Sequence, residues 1–304
     1  MRSTELNHSN LITEHLLGNR DILYRQQAMI SSGKSFTSRS DDVNAAAKVA
    51  DLTQTRAINE QYIDNLKSYQ HLEQFTQAGI DHALSNVQRV REILITATDG
   101  SKTTADREAM AKEIDEIIED MVALANRKSA DTYIFGGTKS DTLPVTVTRD
   151  SEGLITGVTY QNASARTGDG GPGMSIEYGI PASGGNGLFN DTNTDGTDIL
   201  ANLISLRDEL LVGDPPSETA FTSIDDSLQQ IVGHSVQNGL RQNRLESLID
   251  HVGRTNEADI SQLARVGELD IAKAATDLSR MQVVYQASMQ MAAQLNKLSI
   301  MNYI

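Results

Sequence analysis

All five prolines of this 304-residue chain, Pro144, Pro172, Pro181, Pro215 and Pro216, fall within one stretch of 73 residues. Thirteen of its 22 glycines crowd between Gly136 and Gly196. Proline costs about 3 kcal/mol inside a helix and glycine about 1 kcal/mol. Long helices are therefore confined to the flanks, and the chain reads as helix, β-rich insert, helix. In the middle, residues 143–149 (LPVTVTR) and 154–160 (LITGVTY) alternate and are rich in Val, Thr and Ile, with Asp150-Ser151-Glu152-Gly153 between them as a hairpin turn. Residues 174–178 read as a third strand.

The flanks carry helical spacing. Met110, Ile114, Ile117, Met121 and Leu124 step 4-3-4-3, which lays one apolar stripe along a helix. Ile80, Leu84, Val87, Arg91 and Leu94 step similarly, with Arg91 interrupting the stripe. Val49, Leu52, Tyr62, Leu66 and Tyr69 extend the pattern upstream. A helix over residues 45–98 would run about 80 Å at 1.5 Å per residue, too long for a compact globule. Asp99-Gly100-Ser101 ends it, and Thr104 with Arg107-Glu108 starts the next.

Length alone makes two domains the natural expectation, with three as the alternative. Lys and Arg total 26 against 41 Asp and Glu, a net charge of −15, which argues against a phosphate-binding surface and hence against nucleic acid. Cysteine is absent, so disulfides, thiolate metal sites and a cysteine nucleophile are excluded. Residues 1–10 contain Glu5 and no apolar stretch, and no 18-residue apolar run occurs, so neither a cleaved secretion signal nor a membrane span is expected.

Candidate chemical motifs weigh lightly. Gly168-Asp169-Gly170-Gly171-Pro172-Gly173 spells G-x-G-x-x-G, but Pro172 and the strand after it do not fit a dinucleotide fold, so it reads as a loop. Asp191-Thr192-Asn193-Thr194-Asp195-Gly196 matches the opening of a calcium loop. Position twelve is Asn202 rather than Glu, so an Asx-rich turn capping a helix near Asp198 is the better reading. His71 and His82 stand about 16 Å apart along a helix, too far to share an ion. Asp115, Glu116, Glu119 and Asp120 read as a solvated helix face. No catalytic, cofactor or metal residue is assigned, and no enzyme is expected.

The last segment is the most informative. Ile260, Ala264, Gly267, Ile271, Ala274, Leu278, Met281, Tyr285, Ser288, Ala292 and Leu295 hold a 4-3 spacing, and after Met281 the only charged residue is Lys297. So apolar a helix needs a partner surface. Ile12, Leu16, Leu23 and Ile30, with Asn19 and Gln26 between, form a matching stripe near the start. The two ends are expected to pair with each other and with neighbouring chains. The expected assembly interface comprises Ile12, Leu16, Leu23, Ile271, Ala274, Leu278, Met281, Tyr285, Ala292 and Leu295.

Several stretches resemble the flagellin superfamily along nearly the full length. Ile30-Ser31-Ser32-Gly33-Lys34, then Ser40-Asp41-Asp42 and Ala45-Ala46-Ala47, is similar to its N-terminal SSG…DD…AA pattern. The superfamily carries Pro after the second Asp, where this chain has Val43. The VQRVREIL run from Val87 to Leu94 resembles its LQRVREL helix. Asp270-Ile271-Ala272, Ala275-Thr276-Asp277-Leu278, Tyr285-Gln286-Ala287-Ser288 and Asn296-Lys297-Leu298-Ser299 resemble its C-terminal helix. Ala125-Asn126, then Tyr133-Ile134-Phe135-Gly136-Gly137-Thr138 and Pro144, is most similar to the hook–filament junction branch.

The resemblance implies a mainly α fold: a long helical-bundle or coiled-coil stem formed by both chain ends, with a small β-rich inserted domain. Residues 1–44 and 260–304 would be the paired assembly core, 45–138 and 198–259 the stem, and 139–197 the outer β-rich domain. It also implies export through the flagellar type III channel without a cleaved signal. A mechanical adaptor role follows, with hook-associated protein 1, flagellin, copies of the chain in a ring and an export chaperone as partners. No nucleic acid, membrane or cofactor is implied. A filament-forming flagellin is the second reading. An enzyme housed in the insert is the third, although no H-E-x-x-H occurs.

Overall fold

The computed structural model describes residues 2–193 and 196–301, with side chains described for 11, 13–193 and 196–294. The described residues form six α-helices: α1 (Arg2–Ser32), α2 (Val43–Ala97), α3 (Thr104–Ala125), α4 (Ile199–Leu211), α5 (Glu218–Gly267) and α6 (Ile271–Met301). Eight short strands lie between α3 and α4. They are β1 (Lys128–Ser129), β2 (Thr132–Tyr133), β3 (Val145–Arg149), β4 (Ile155–Tyr160), β5 (Arg166–Gly171), β6 (Met174–Tyr178), β7 (Ser183–Gly184) and β8 (Asn190–Asp191). The architecture is mainly α with a small β-rich insert, as the placement of the helix breakers dictates.

The chain divides into two compact units, Met1–Ile58 with Arg254–Ile304, and Asn59–Gly253. In the second unit α3 packs on α4. Thr103 starts α3 with a capping box: its hydroxyl accepts from Asp106 N–H, and the Asp106 carboxylate accepts from Thr103 N–H. Ile114, Ile117, Met121 and Leu124 are buried as the 4-3 stripe predicts. Ala111, Ile118, Val122 and Ala125 are buried too, so α3 is covered over more than one seam.

On α2 the buried line is Ile80, Ala83, Val87, Val90, Leu94 and Ala97. Leu84 is only partly buried, and Arg91 lies off the line, where its Nε donates to Asp225 at 2.7 Å. The charge therefore does not interrupt the stripe; small Ala83 and Val90 carry the positions that Leu84 and Arg91 were expected to hold. Of the solvated face expected on α3, Glu116 and Asp120 are exposed, whereas Asp115 accepts from Arg207 Nη1 at 2.7 Å and the half-exposed Glu119 pairs with Arg149 on β3.

The strands form four two-stranded pairs among the described residues, three antiparallel and β7–β8 parallel. β3 and β4 make the expected hairpin, with Val147 opposite Val158. Asp150 Oδ1 accepts from both Glu152 N–H and Leu154 N–H at 2.9 Å and so closes the turn. The glycine-rich motif is a strand rather than a loop: β5 pairs with β6, and Gly171 sits opposite Met174 across a Pro172-Gly173 turn. Gly173 has φ +69°, the left-handed region that glycine enters without a Cβ penalty. Gly170 lies against Ile176 and Leu66, so a side chain there would meet packed neighbours.

These strands share their core with the helices. Val145, Ile155, Ile180, Ala182, Leu188 and Phe189 belong to the same buried cluster as α2, α3 and α4. Phe135 packs edge-on to Phe189 at 5.5 Å and against Gly79 of α2. Asp198 caps α4, accepting from Ala201 N–H at 3.0 Å and from the Tyr160 hydroxyl at 2.6 Å. Asp191 Oδ1 accepts from Asn193 N–H at 3.0 Å, the Asx turn expected there; Thr194 and Asp195 lie outside the described residues.

Candidate assembly interface

In the first unit α1 and α6 lie against each other. Leu16, Asn19, Leu23, Gln26 and Ile30 of α1 are half-buried, at the 4-3 spacing read from the sequence. On α6, Ala274 is buried, and Leu278, Met281, Tyr285, Ser288 and Ala292 are half-buried at the same spacing. Asn19 Nδ2 donates to Ser288 Oγ at 3.4 Å across the pair, so two of the polar positions within the stripes meet. The side chains of Ile12 and Leu295 lie outside the described residues.

Ile271 stands apart from the stripe, 60% exposed. It is the first residue of α6, directly after the non-helical residues 268–270, and the covered stripe on α6 starts one step later, at Ala274. Asp270 starts the new helix by accepting from Lys273 N–H at 3.0 Å.

Turn chemistry places the two helices together. Gly33 follows α1 with φ +68°, the left-handed conformation that ends helices. Leu269 N–H donates to Gly33 O at 3.0 Å, and Ser35 N–H donates to Gly267 O at 2.9 Å. Ser35 Oγ also donates to Val266 O at 2.9 Å. The segment after α1 is thereby stitched to the segment between α5 and α6.

The two aspartates of the DD pattern have separate work. Asp41 Oδ2 accepts from Ser38 N–H at 2.8 Å, Thr37 Oγ1 at 3.0 Å and Thr37 N–H at 3.1 Å. The Ser38 amide above all, then the Thr37 hydroxyl, holds the Asp41 carboxyl below its ordinary value of 3.8. Asp42 Oδ1 accepts from Ala45 N–H at 2.9 Å and caps α2. Val43 is therefore the first helical residue and 69% exposed, a place where proline is equally tolerated.

The stripes chosen from the sequence are largely spent on each other. What remains open to other molecules is a different set of side chains. Val283 (65%), Val284 (49%) and Met291 (59%) are exposed on α6 and lie within about 100° of one another around its axis. Leu11, Leu17, Ile22 and Tyr24 are exposed on α1. The residues expected from the sequence lie on the paired side, and this outer side was not among them. Its signal was the lack of charge on every side of the helix beyond Met281.

Among the described residues no group of three or more His, Asp or Glu side chains is placed to hold a metal ion, and no helix is long and apolar enough to cross a membrane. His71 and His82 are both exposed on α2.

Residues 4–140 match the family model of the bacterial flagellin N-terminal helical region, and residues 221–304 that of the bacterial flagellin C-terminal helical region. Flagellar hook-associated protein 3 of Salmonella typhimurium is 29% identical over 140 residues, 45% of this chain and 44% of that protein. The chain thus spans less than half the length of the curated hook-associated relatives it matches. A flagellin of Halalkalibacterium halodurans is 22% identical over 275 residues, 90% of this chain and 88% of that one. Among solved structures, a hook-associated-class flagellar protein from Vibrio parahaemolyticus superposes with a TM-score of 0.64 at 20% identity, over 75% of this chain and all of that chain (100%).

Proposed function

The chain belongs to the bacterial flagellin family, and from that premise we propose that it is the structural adaptor joining the flagellar hook to the filament. The observation that carries this reading is the exposed apolar side of the α1–α6 pair, around Val283, Val284 and Met291. Such a surface on a chain of net charge −15 calls for neighbouring subunits to cover it. The likeness to hook-associated protein 3 of Salmonella supports the junction over other positions in the flagellum.

In this reading the partners are hook-associated protein 1 on the hook side, flagellin on the filament side and further copies of the chain in a ring. An export chaperone would cover the apolar ends before export. The place of action is outside the cell, reached without a cleaved signal. The role is mechanical rather than catalytic, because what the end helices offer is contact area. The absence of cysteine suits a chain that passes a narrow channel unfolded and refolds with no disulfide to form.

A second reading, a filament-forming flagellin, is favoured by the near full-length match to the Halalkalibacterium protein. Deleting the gene in its host and imaging the cells separates the two. Hooks retained, filaments lost and flagellin shed into the medium identify the adaptor. Purified protein that polymerises without limit into long filaments identifies the flagellin and sinks the adaptor.

A further inference from the structure

Between Asp226 and Arg241 helix α5 carries no Asp, Glu, Lys or Arg over fourteen residues, in a chain that is 22% charged. One side of this stretch is packed: Ile231, His234 and Asn238 are buried. The other side presents Val232 (47% exposed), Val236 (61%) and Leu240 (64%) at i, i+4 and i+8, an apolar ridge facing solvent. Gly233 and Gly239 flank Val236, and a Cβ at either would meet open space. Glycine is a poor helix former, and nothing within the described residues requires it at these two places. A second backbone approaching closely would require it.

The charges that bracket the ridge indicate what approaches. Asp225 is bound by Arg91 at 2.7 Å, and Arg241 donates to Gly179 O at 3.1 Å. Asp226 and Arg244 are the exposed charges left at the two ends, and neither is in an ion pair among the described residues. They stand eighteen residues apart, five helical turns, and so lie on the same edge of α5. When a copy of the helix is turned end for end about a two-fold axis in the contact plane, that edge stays on the same side and its ends exchange. Asp226 of one copy then lies beside Arg244 of the other, twice over, with Val232, Val236 and Leu240 between.

We propose that this ridge is a self-complementary surface on which a second copy of the chain docks antiparallel, α5 against α5, closed by two reciprocal Asp226–Arg244 pairs. An isologous contact of this kind closes at two copies, so it describes the free subunit rather than a ring. It is independent of the adaptor role and would hold equally for a filament subunit.

Sedimentation velocity of the full chain across a concentration series tests this. The wild type is expected to show a reversible monomer–dimer equilibrium. Asp226→Arg and Arg244→Asp each set like charges against each other at both ends, and each is expected to weaken the dimer by at least about tenfold. An equimolar mixture of the two single variants is expected to dimerise, because each then meets its opposite at both ends. The double variant is expected to dimerise as the wild type does. Circular dichroism of each variant confirms that these exposed changes leave the helices intact. A wild type that stays monomeric at the highest concentration overturns the proposal. So does a dimer that ignores both single substitutions, or a mixture no more associated than its components.

Discussion

Arg207, only 1% exposed, donates through Nη1 to Asp115 Oδ1 at 2.7 Å and so ties α4 to α3. Its Nη2 donates to Ile155 O and to Asp208 Oδ1, each at 2.7 Å, so one guanidinium joins two helices and strand β4. A buried cation is tolerable only when its donors are filled in this way. Arg207→Ala leaves the Ile155 carbonyl and the Asp115 carboxylate without their partner, and is expected to cost about 3–5 kcal/mol. Urea denaturation measures it. A loss below about 1 kcal/mol, the range of ordinary surface changes, would contradict this account.

Glu73 offers a test by pH. Its side chain is fully buried on α2, and its Oε1 accepts from Gly179 N–H at 2.8 Å. Burial is the main influence and pushes the carboxyl above its ordinary value of 4.5, while the Gly179 amide and Arg241 oppose that rise. The folded chain therefore holds this proton to higher pH than the unfolded chain does. The stabilisation is complete below 4.5 and is lost as pH rises through the raised value. Glu73→Gln keeps an oxygen for Gly179 and removes the titration. Denaturation at a series of pH values is expected to show that the variant lacks this fall and exceeds the wild type above it. Parallel curves would refute the assignment.

Gly79 should resist even a one-carbon change. A Cβ there would lie 2.6 Å from Phe135 Cζ, and Phe135 is itself 1% exposed and held against Phe189. Alanine gains about 1 kcal/mol in helix propensity. Displacing a buried ring costs typically about 1–3 kcal/mol. Gly79→Ala is thus expected to lower the melting temperature. A rise would show that the ring moves freely.

The two sides of α6 should answer differently to charge. Val283→Asp with Val284→Asp alters only the exposed side. Under the adaptor reading, this pair of changes is expected to leave the subunit secreted at normal level and absent from purified flagella. Leu278→Asp on the paired side is expected instead to loosen α1 together with α6, seen as faster amide exchange in both. Normal incorporation of the Val283/Val284 variant would place the assembly surface elsewhere.

Asp42→Ala removes the cap from α2, and a lost aspartate cap typically costs about 1 kcal/mol. Asn or Ser at the same position is expected to restore most of that stability, since each offers the needed acceptor. Thermal unfolding of the three variants decides it.

Much of this was legible before any coordinates. Prolines and glycines marked the β-rich middle because many breakers clustered together outweigh any helical preference there, whereas single glycines such as Gly79 and Gly233 are carried inside α2 and α5. The 4-3 stripes found the paired sides of α1 and α6 because helical spacing fixes which side chains share a face. Ile271 shows where that logic stops: spacing puts it on the stripe, yet as the first residue of α6 it stays exposed and the covered positions start at Ala274. Arg91 and Leu84 show a second limit, since a one-residue choice of register depends on which neighbour packs there. Asp115 and Glu119 looked like ordinary surface carboxylates because their partners, Arg207 and Arg149, lie far along the chain. The strand nature of the Gly168–Gly171 run was hidden because its glycines answer to contacts from Tyr69, Ile176 and Leu66 rather than to a turn.

The closed turn at residues 150–153 has a practical use. Its residues are exposed, a Cβ at Gly153 would meet open space, and Gly153 O is held by Arg149 Nη1 at 2.9 Å. A fluorophore attached through Ser151→Cys would be the sole thiol conjugate on a chain that has no cysteine of its own. Placed in the turn, it would leave the strand register of β3 with β4 intact. Under the adaptor reading, individual subunits could then be followed by eye from release to incorporation.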